Sequence, residues 1–298
     1  MATFSEIQKK LGLTPSKFDI IRKKYIKNLS YYTGRNVIVY YSGWLSKPGA
    51  PGLDINDLDM TGFMENVKGL DCMKGLDLIL HTPGGNPAAA ESIVNYLRMK
   101  FKKDIRIIVP HLAMSAGTMI ACSGKEIVMG KHSNLGPVDP QLGGIPAYSV
   151  KKEFEEAQID LKTHPENIGY WSLQIQKYPP GFLKLAIDSI DLSSVLVKEW
   201  LGTCMFDKAK EADVEIIKKI VDNLNEHDNS KTHDRHYDIS FCKNIGLKII
   251  GLEEDPKLQD KVLSIHHAMM LTFNSTNAVK IIENNKTGTV IQQAILQK

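Results

Sequence analysis

The chain has 298 residues, 43% of them hydrophobic and 24% charged, with a formal net charge of +3. Such ordinary globular proportions supply ample apolar material for a core, and so weak a charge, with no basic stripe interleaved with aromatics, argues against nucleic acid as a partner. The longest apolar runs fall far short of the roughly 20 residues that span a bilayer. Met1–Lys10 has no apolar leader core, so the expectation is a cytoplasmic protein without a membrane span. The four cysteines, Cys72, Cys122, Cys204 and Cys242, lie far apart without a CxxC pair. They read as free thiols in a reducing compartment.

In chain order, Phe18, Ile21, Tyr25, Ile26 and Leu29 recur at helical spacing after Ser16, a suitable N-cap, and before Gly34, a suitable stop. Val37–Tyr41 predicts a strand, Lys47–Gly52 a loop, and Phe63–Leu70 a helix. Strand Leu76–Leu80 then leads to helix Pro87–Phe101, with Pro87 where its missing N–H is harmless. Strand Ile105–Val109 leads to a short helix from Ser115 to about Cys122, and strand Glu126–Met129 follows. This order predicts an α/β fold with parallel strands and functional turns at their C-terminal ends. Tyr148–Lys162 and Gly181–Asn225 read as helical, and residues 226–236 as a polar loop. Helix Ile239–Asn244, strand Leu247–Ile250, helix Pro256–Phe273 and β-like runs at Val279–Ile282 and Thr289–Ile295 close the chain.

Two turns carry the chemistry. The first apolar run ends in His81-Thr82-Pro83-Gly84-Gly85-Asn86-Pro87, the second in Met114-Ser115-Ala116-Gly117-Thr118. Singly, each is as well explained as a close-packed turn. About 30 residues separate Gly84 from Ser115, enough for a helix and a returning strand that set the turns side by side. Glycines at 84 and 85 free the backbone to aim amides at a ligand, and a helix N-terminus at Ser115 favours a developing oxyanion. A nucleophile beside fixed N–H donors is what acyl transfer requires.

HTPGG, MSAGT and NLGPVDPQ together resemble the serine dehydrogenase proteinase family, relatives of signal peptide peptidase A within the Clp-protease/crotonase superfamily. Tyr31–Ile38, Tyr41–Leu45, His233–Ile239, Asn244–Leu247 and Ala278–Asn284 are similar to the family's outer segments, so the resemblance covers about residues 18–298. It implies repeated ββα units with additional helices in one domain. The divisions are an N-terminal helical segment (1–34), a catalytic core (35–150), a helical region (151–236) and a C-terminal α/β segment (237–298). It also implies an ATP-independent serine peptidase acting on unfolded or extended polypeptide, with Ser115 as nucleophile. Gly84 and Gly85 match the turn that supplies one oxyanion-hole N–H, and Ala116 the other. The position of the histidine in related Clp proteases falls in Pro137–Pro140, which has none. Signal-peptide-peptidase relatives use a lysine, and their register favours Lys152 over Lys151; His132 is the histidine alternative. A base lysine must be partly desolvated to accept a proton near pH 7.

No metal or organic cofactor is required on this reading. Self-association into a ring is expected, with Phe182, Leu185, Ile190, Leu192, Val195, Leu196 and Trp200 as candidate surface unless they pack in the core. An ATPase partner is open, the chain having no P-loop of its own. The rival readings are a catalytically silent scaffold for unfolded chains and a crotonase-like acyl-CoA enzyme. Other polar residues read more simply. His81 touches substrate or caps its strand; Asp139 orients a catalytic group or forms a turn. His233 and His236 make an HxxH without a third ligand, and one of His266 and His267 faces the core. Asp54, Asp57 and Asp59 read as capping residues rather than a cation loop.

Overall fold

Ser16 opens the first helix, α1 (Lys17–Thr33), by accepting from the Asp19 amide while the Asp19 carboxylate takes the Ser16 N–H, and Gly34 ends it at φ +68°. The computed structural model describes residues 16–225 and 233–294. Met1–Lys10, most of the expected polar loop (226–232) and Ile295, the last residue of the expected final β-run, lie outside that range. After α1 come β1 (Asn36–Ser42), α2 (Asp59–Val67), β2 (Leu76–His81), α3 (Pro87–Phe101), β3 (Ile105–Val109), β4 (Leu112–Ala113), α4 (Ala116–Cys122) and β5 (Glu126–Met129). Short strands β6 (Asn134–Leu135), β7 (Gln141–Leu142) and β8 (Ile145–Pro146) precede helices α5 (Ala147–Thr163), α6 (Ile168–Ile175), α7 (Phe182–Trp200) and α8 (Glu211–Asn225). The C-terminal part holds α9 (Ile239–Ile245), β9 (Ile249–Gly251), α10 (Pro256–Ser275), β10 (Ala278–Asn284) and β11 (Thr289–Gln293).

Seven strands form one sheet in the order β11-β10-β1-β2-β3-β5-β9. The run from β1 to β9 is parallel, whereas β10 and β11 add antiparallel at one edge. Period-2 alternation splits the strands between two cores. Ile38, Tyr40, Leu78, Leu80, Ile107 and Val109 face α2, α3, α4, α7 and α8. Val37, Val39, Tyr41, Ile79, Ile108 and Val128 face α1 and α10. Helices on both faces explain why the strands read as continuous apolar runs, and the α/β expectation holds. Sequence reading missed α6 and the two-residue strands, which are too short to carry a period.

Asp59 does more than cap. It is fully buried, holds the Asn56 N–H, and accepts from Lys280 Nζ at 2.8 and 3.0 Å and from the Tyr40 hydroxyl at 2.7 Å. Lys280 also donates to the Asp54 carbonyl, so a buried ion pair ties segment 54–59 to β10. The expected apolar surface divides. Ile190, Leu196 and Trp200 are core, while Leu185, Leu192 and Val195 are exposed. None of the four cysteines is in a disulfide; Cys122 and Cys242 are buried. Among the described residues no helix is long and apolar enough to cross a membrane.

Candidate functional site

The glycine turn is shaped by its own residues. Thr82 turns its hydroxyl back to accept the Gly84 N–H at 3.2 Å, Gly84 and Gly85 take φ of +100° and +146°, and Asn86 caps α3 by accepting from the Ala88 and Ala89 amides. Strand β4 runs beside it: the Thr82 N–H donates to the Leu112 carbonyl (3.1 Å) and the Met114 N–H to the Thr82 carbonyl (3.0 Å). This pairing carries Ser115 onto Gly84. A Cβ on Gly84 would lie 2.7 Å from the Ser115 Cβ and from the Met114 carbonyl oxygen, and 3.1 Å from the Ala116 nitrogen. Only glycine fits there.

Ser115 itself is strained. It sits between β4 and α4 at φ +50°, ψ −119°, one of two non-glycine residues with positive φ among those described. Such a conformation costs on the order of 1–3 kcal/mol and is the geometry by which a strand-to-helix turn presents a nucleophile. The small residues after it make the approach possible: a Cβ on Gly117 would meet the Thr82 methyl at 2.5 Å.

Ile55 pairs with the glycine turn, its N–H donating to the Gly84 carbonyl (2.7 Å) and its carbonyl accepting from the Asn86 N–H (2.9 Å). Because these bonds use the residues flanking Gly85, the N–H and C=O of Gly85 point to the opposite edge. Neither the Gly85 nor the Ala116 N–H makes a hydrogen bond among the described residues. Gly84, by contrast, spends its N–H on Thr82, so of the two turn glycines Gly85 is the one with a donor to offer.

Downstream of α4 the chain returns beside the serine. Strand β6 pairs parallel with β4, and the Gly136 N–H donates to the Thr118 hydroxyl (2.9 Å), one turn past Ser115. Leu135 pairs antiparallel with Tyr237. Four residues on from each partner of that bridge stand Asp139 and His233. There the His233 Nδ1 lies 2.8 Å from Asp139 Oδ1; the carboxylate is fully buried and the imidazole 26% exposed. Asp139 Oδ2 accepts from Gln141 Nε2 at 3.1 Å. A carboxylate holding one ring nitrogen leaves the other to exchange protons with a neighbour.

Sequence reading had both residues but not the pair. Asp139 was an orienting group or a turn, and His233 was half of an HxxH. Their 94-residue separation hid the pairing, and only the antiparallel match of Leu135 with Tyr237 brings them together. Lys151 and Lys152 lie in the second turn of α5, whose main packing is against α7, and Lys151 lies 3.8 Å from Glu155. Lys152 is half-buried and interacts within the protein. His132 is exposed. His81 is completely buried on the α10 side of the sheet, at the end of β2, so it braces the strand and does not line the serine's corner. Among the described residues no group of three His, Cys, Asp or Glu side chains is arranged to hold a metal ion.

The family described as ClpP-like SDH-type serine proteinase matches residues 52–166, which include both turns, Asp139 and all of α5. Two uncharacterized proteins of Methanocaldococcus jannaschii are similar over shorter stretches. One is 48% identical over 87 residues, 29% of this chain and 30% of the relative. The other is 46% identical over 79 residues, 26% of this chain and 27% of the relative. The matched stretch thus spans less than a third of either relative.

Proposed function

We propose that this chain, which over residues 52–166 matches the family described as ClpP-like SDH-type serine proteinase, is a serine peptidase that needs no ATP for bond cleavage. The observation that carries the reading is the contact between a strained Ser115 and a Gly84 that has no room for a Cβ. It sets the serine beside Gly84, next in the chain to the unspent amides of Gly85 and Ala116. In the reaction Ser115 Oγ attacks the scissile carbonyl and its proton passes to a base. The carbonyl oxygen becomes an oxyanion held by the Gly85 and Ala116 N–H groups, and the base then protonates the leaving amine. Water repeats the sequence on the acyl-enzyme and regenerates the serine.

For the base we propose His233, with Asp139 holding its Nδ1–H and balancing the imidazolium that forms. The 2.8 Å bond to a fully buried carboxylate favours this role. Lys152 is the second reading; its half-buried position is what a base lysine needs, and the resemblance to signal-peptide-peptidase relatives favours it. The substrate class we propose is extended polypeptide, because the free edge of Gly85 offers backbone donors and acceptors to an added strand. A homo-oligomeric state and a separate ATPase partner belong to the same proposal, as does a cytoplasmic location.

The test is a fluorophosphonate probe with casein turnover. Labelling confined to Ser115, and loss of about 10⁶ in kcat with unchanged folding in Ser115→Ala, support the peptidase. A folded protein that neither labels nor cleaves favours the silent scaffold.

A further inference from the structure

His81 is a buried titratable group that this chemistry leaves unused. Its Nδ1 lies 3.1 Å from the Leu112 carbonyl and 3.4 Å from the Leu112 N–H, so it grips the backbone of one residue on β4. The shorter contact, to an oxygen that can only accept, makes Nδ1–H the donor to that carbonyl; the Leu112 N–H then makes no bond to the ring. That same carbonyl takes the Thr82 N–H, the first bond joining the glycine turn to the strand of Ser115. On its other side His81 Nε2 is buried without a partner. Trp44 packs on the ring with centroids 4.3 Å apart, and the rings of Tyr41, His111 and His266 stand 5.2, 5.6 and 5.4 Å away.

A leucine would fill this pocket without a buried unpaired nitrogen, and Leu112 would keep its bond from Thr82. For the fold alone, then, histidine is the poorer choice. What it adds is a rigid tie at the junction where the two catalytic turns meet. On the reading of Ser115 and Gly85 given above, we propose that His81 is a positioning residue that fixes the register of the glycine turn against the nucleophile's strand.

The surroundings suit a ring kept neutral. Burial, together with the neighbouring rings of His266 and His111, holds its basicity well below that of ordinary histidine, and no carboxylate acts on it to restore the charge. His266 lies against the rings of His111 and His267, centroids 5.7 and 6.0 Å apart, and its Nδ1 is 3.3 Å from the Tyr41 hydroxyl, so the titratable groups around His81 are histidines and a tyrosine. A neutral ring keeps one N–H for Leu112 and places no charge beside the turn.

Three variants test this. Asn carries its amide near the place of Nδ1, Gln near that of Nε2, and Leu carries none. His81→Asn is expected to keep kcat within about threefold. His81→Gln and His81→Leu lose about 10² in kcat with KM little changed, the scale of an ångström's misplacement at a reacting centre. His81→Leu keeps or gains thermal stability. Independently of turnover, hydrogen exchange of the Thr82 and Met114 amides accelerates about tenfold in the Gln and Leu variants and stays slow in Asn. Exchange unchanged in Leu and Gln, or an Asn variant as impaired as Leu, overturns the proposal. Should wild-type protein cleave nothing while exchange responds as described, the tie stands and the peptidase reading fails. If His81→Leu does not fold, the comparison of Asn with Gln decides alone.

Discussion

Asp139→Asn separates the two possible bases. In the wild-type protein Oδ1 holds His233 Nδ1 at 2.8 Å and Oδ2 accepts the Gln141 amide N–H at 3.1 Å. An asparagine has one acceptor. If its oxygen stays with Gln141, its NH2 faces Nδ1 and forces the proton to Nε2, the nitrogen that must be empty to receive the Ser115 proton. If the amide turns the other way, the tautomer is kept but the negative charge that balances the imidazolium is gone. The first arrangement is expected to cost about 10⁴ in kcat, or about 5 kcal/mol of transition-state stabilisation. Steady-state hydrolysis of a fluorogenic peptide measures it, with near-UV circular dichroism to confirm that the buried site still packs. Turnover within tenfold of wild type refutes the role of the pair. Combined with a dead Lys152→Ala variant, that result transfers the base to Lys152.

Three further outcomes are expected. Gly84→Ala forces a Cβ to within 2.7 Å of a backbone carbonyl at φ +100° and parts Ser115 from its amides; kcat falls by 10²–10³-fold, roughly the loss of one oxyanion donor. A fully active, folded Gly84→Ala protein contradicts the proposed corner. Acid should unfold the protein early, because burial and histidine neighbours lower the basicity of His81, His111 and His266, the last from 6.5 to about 4. Neutral rings stabilise the native state above the unfolded value near 6.5, and this contribution is lost as pH falls towards the folded value; for His266 it amounts to at most about 3 kcal/mol. Urea midpoints at pH 7, 5.5 and 4.5 check the sign, and a flat profile over that range speaks against it. Light scattering at micromolar concentration tests self-association through the exposed Leu185, Leu192 and Val195; an active species with a mass near 33.3 kDa excludes it.

What the sequence determined by itself is what short stretches decide. Helix α1 is bounded by Ser16 and Gly34, α3 by Asn86 and Phe101, and β3 and β5 coincide with their apolar runs, because caps, proline placement and side-chain periodicity act within a few residues. The glycine turn and Ser115 were legible for the same reason: a conformation open only to glycine, and a serine at a strand-to-helix junction, are written locally. Tertiary structure decided which distant residues meet. Asp139 and His233 join where Leu135 of β6 pairs with Tyr237, and Lys280 meets Asp59 because β10 inserts beside β1. His81, His111 and His266 come together because α10 packs across the ends of β2 and β3. Each of these contacts depends on sheet order and on which face a strand presents. Those are set by burying the whole chain's apolar surface at once, and no window of sequence contains that information.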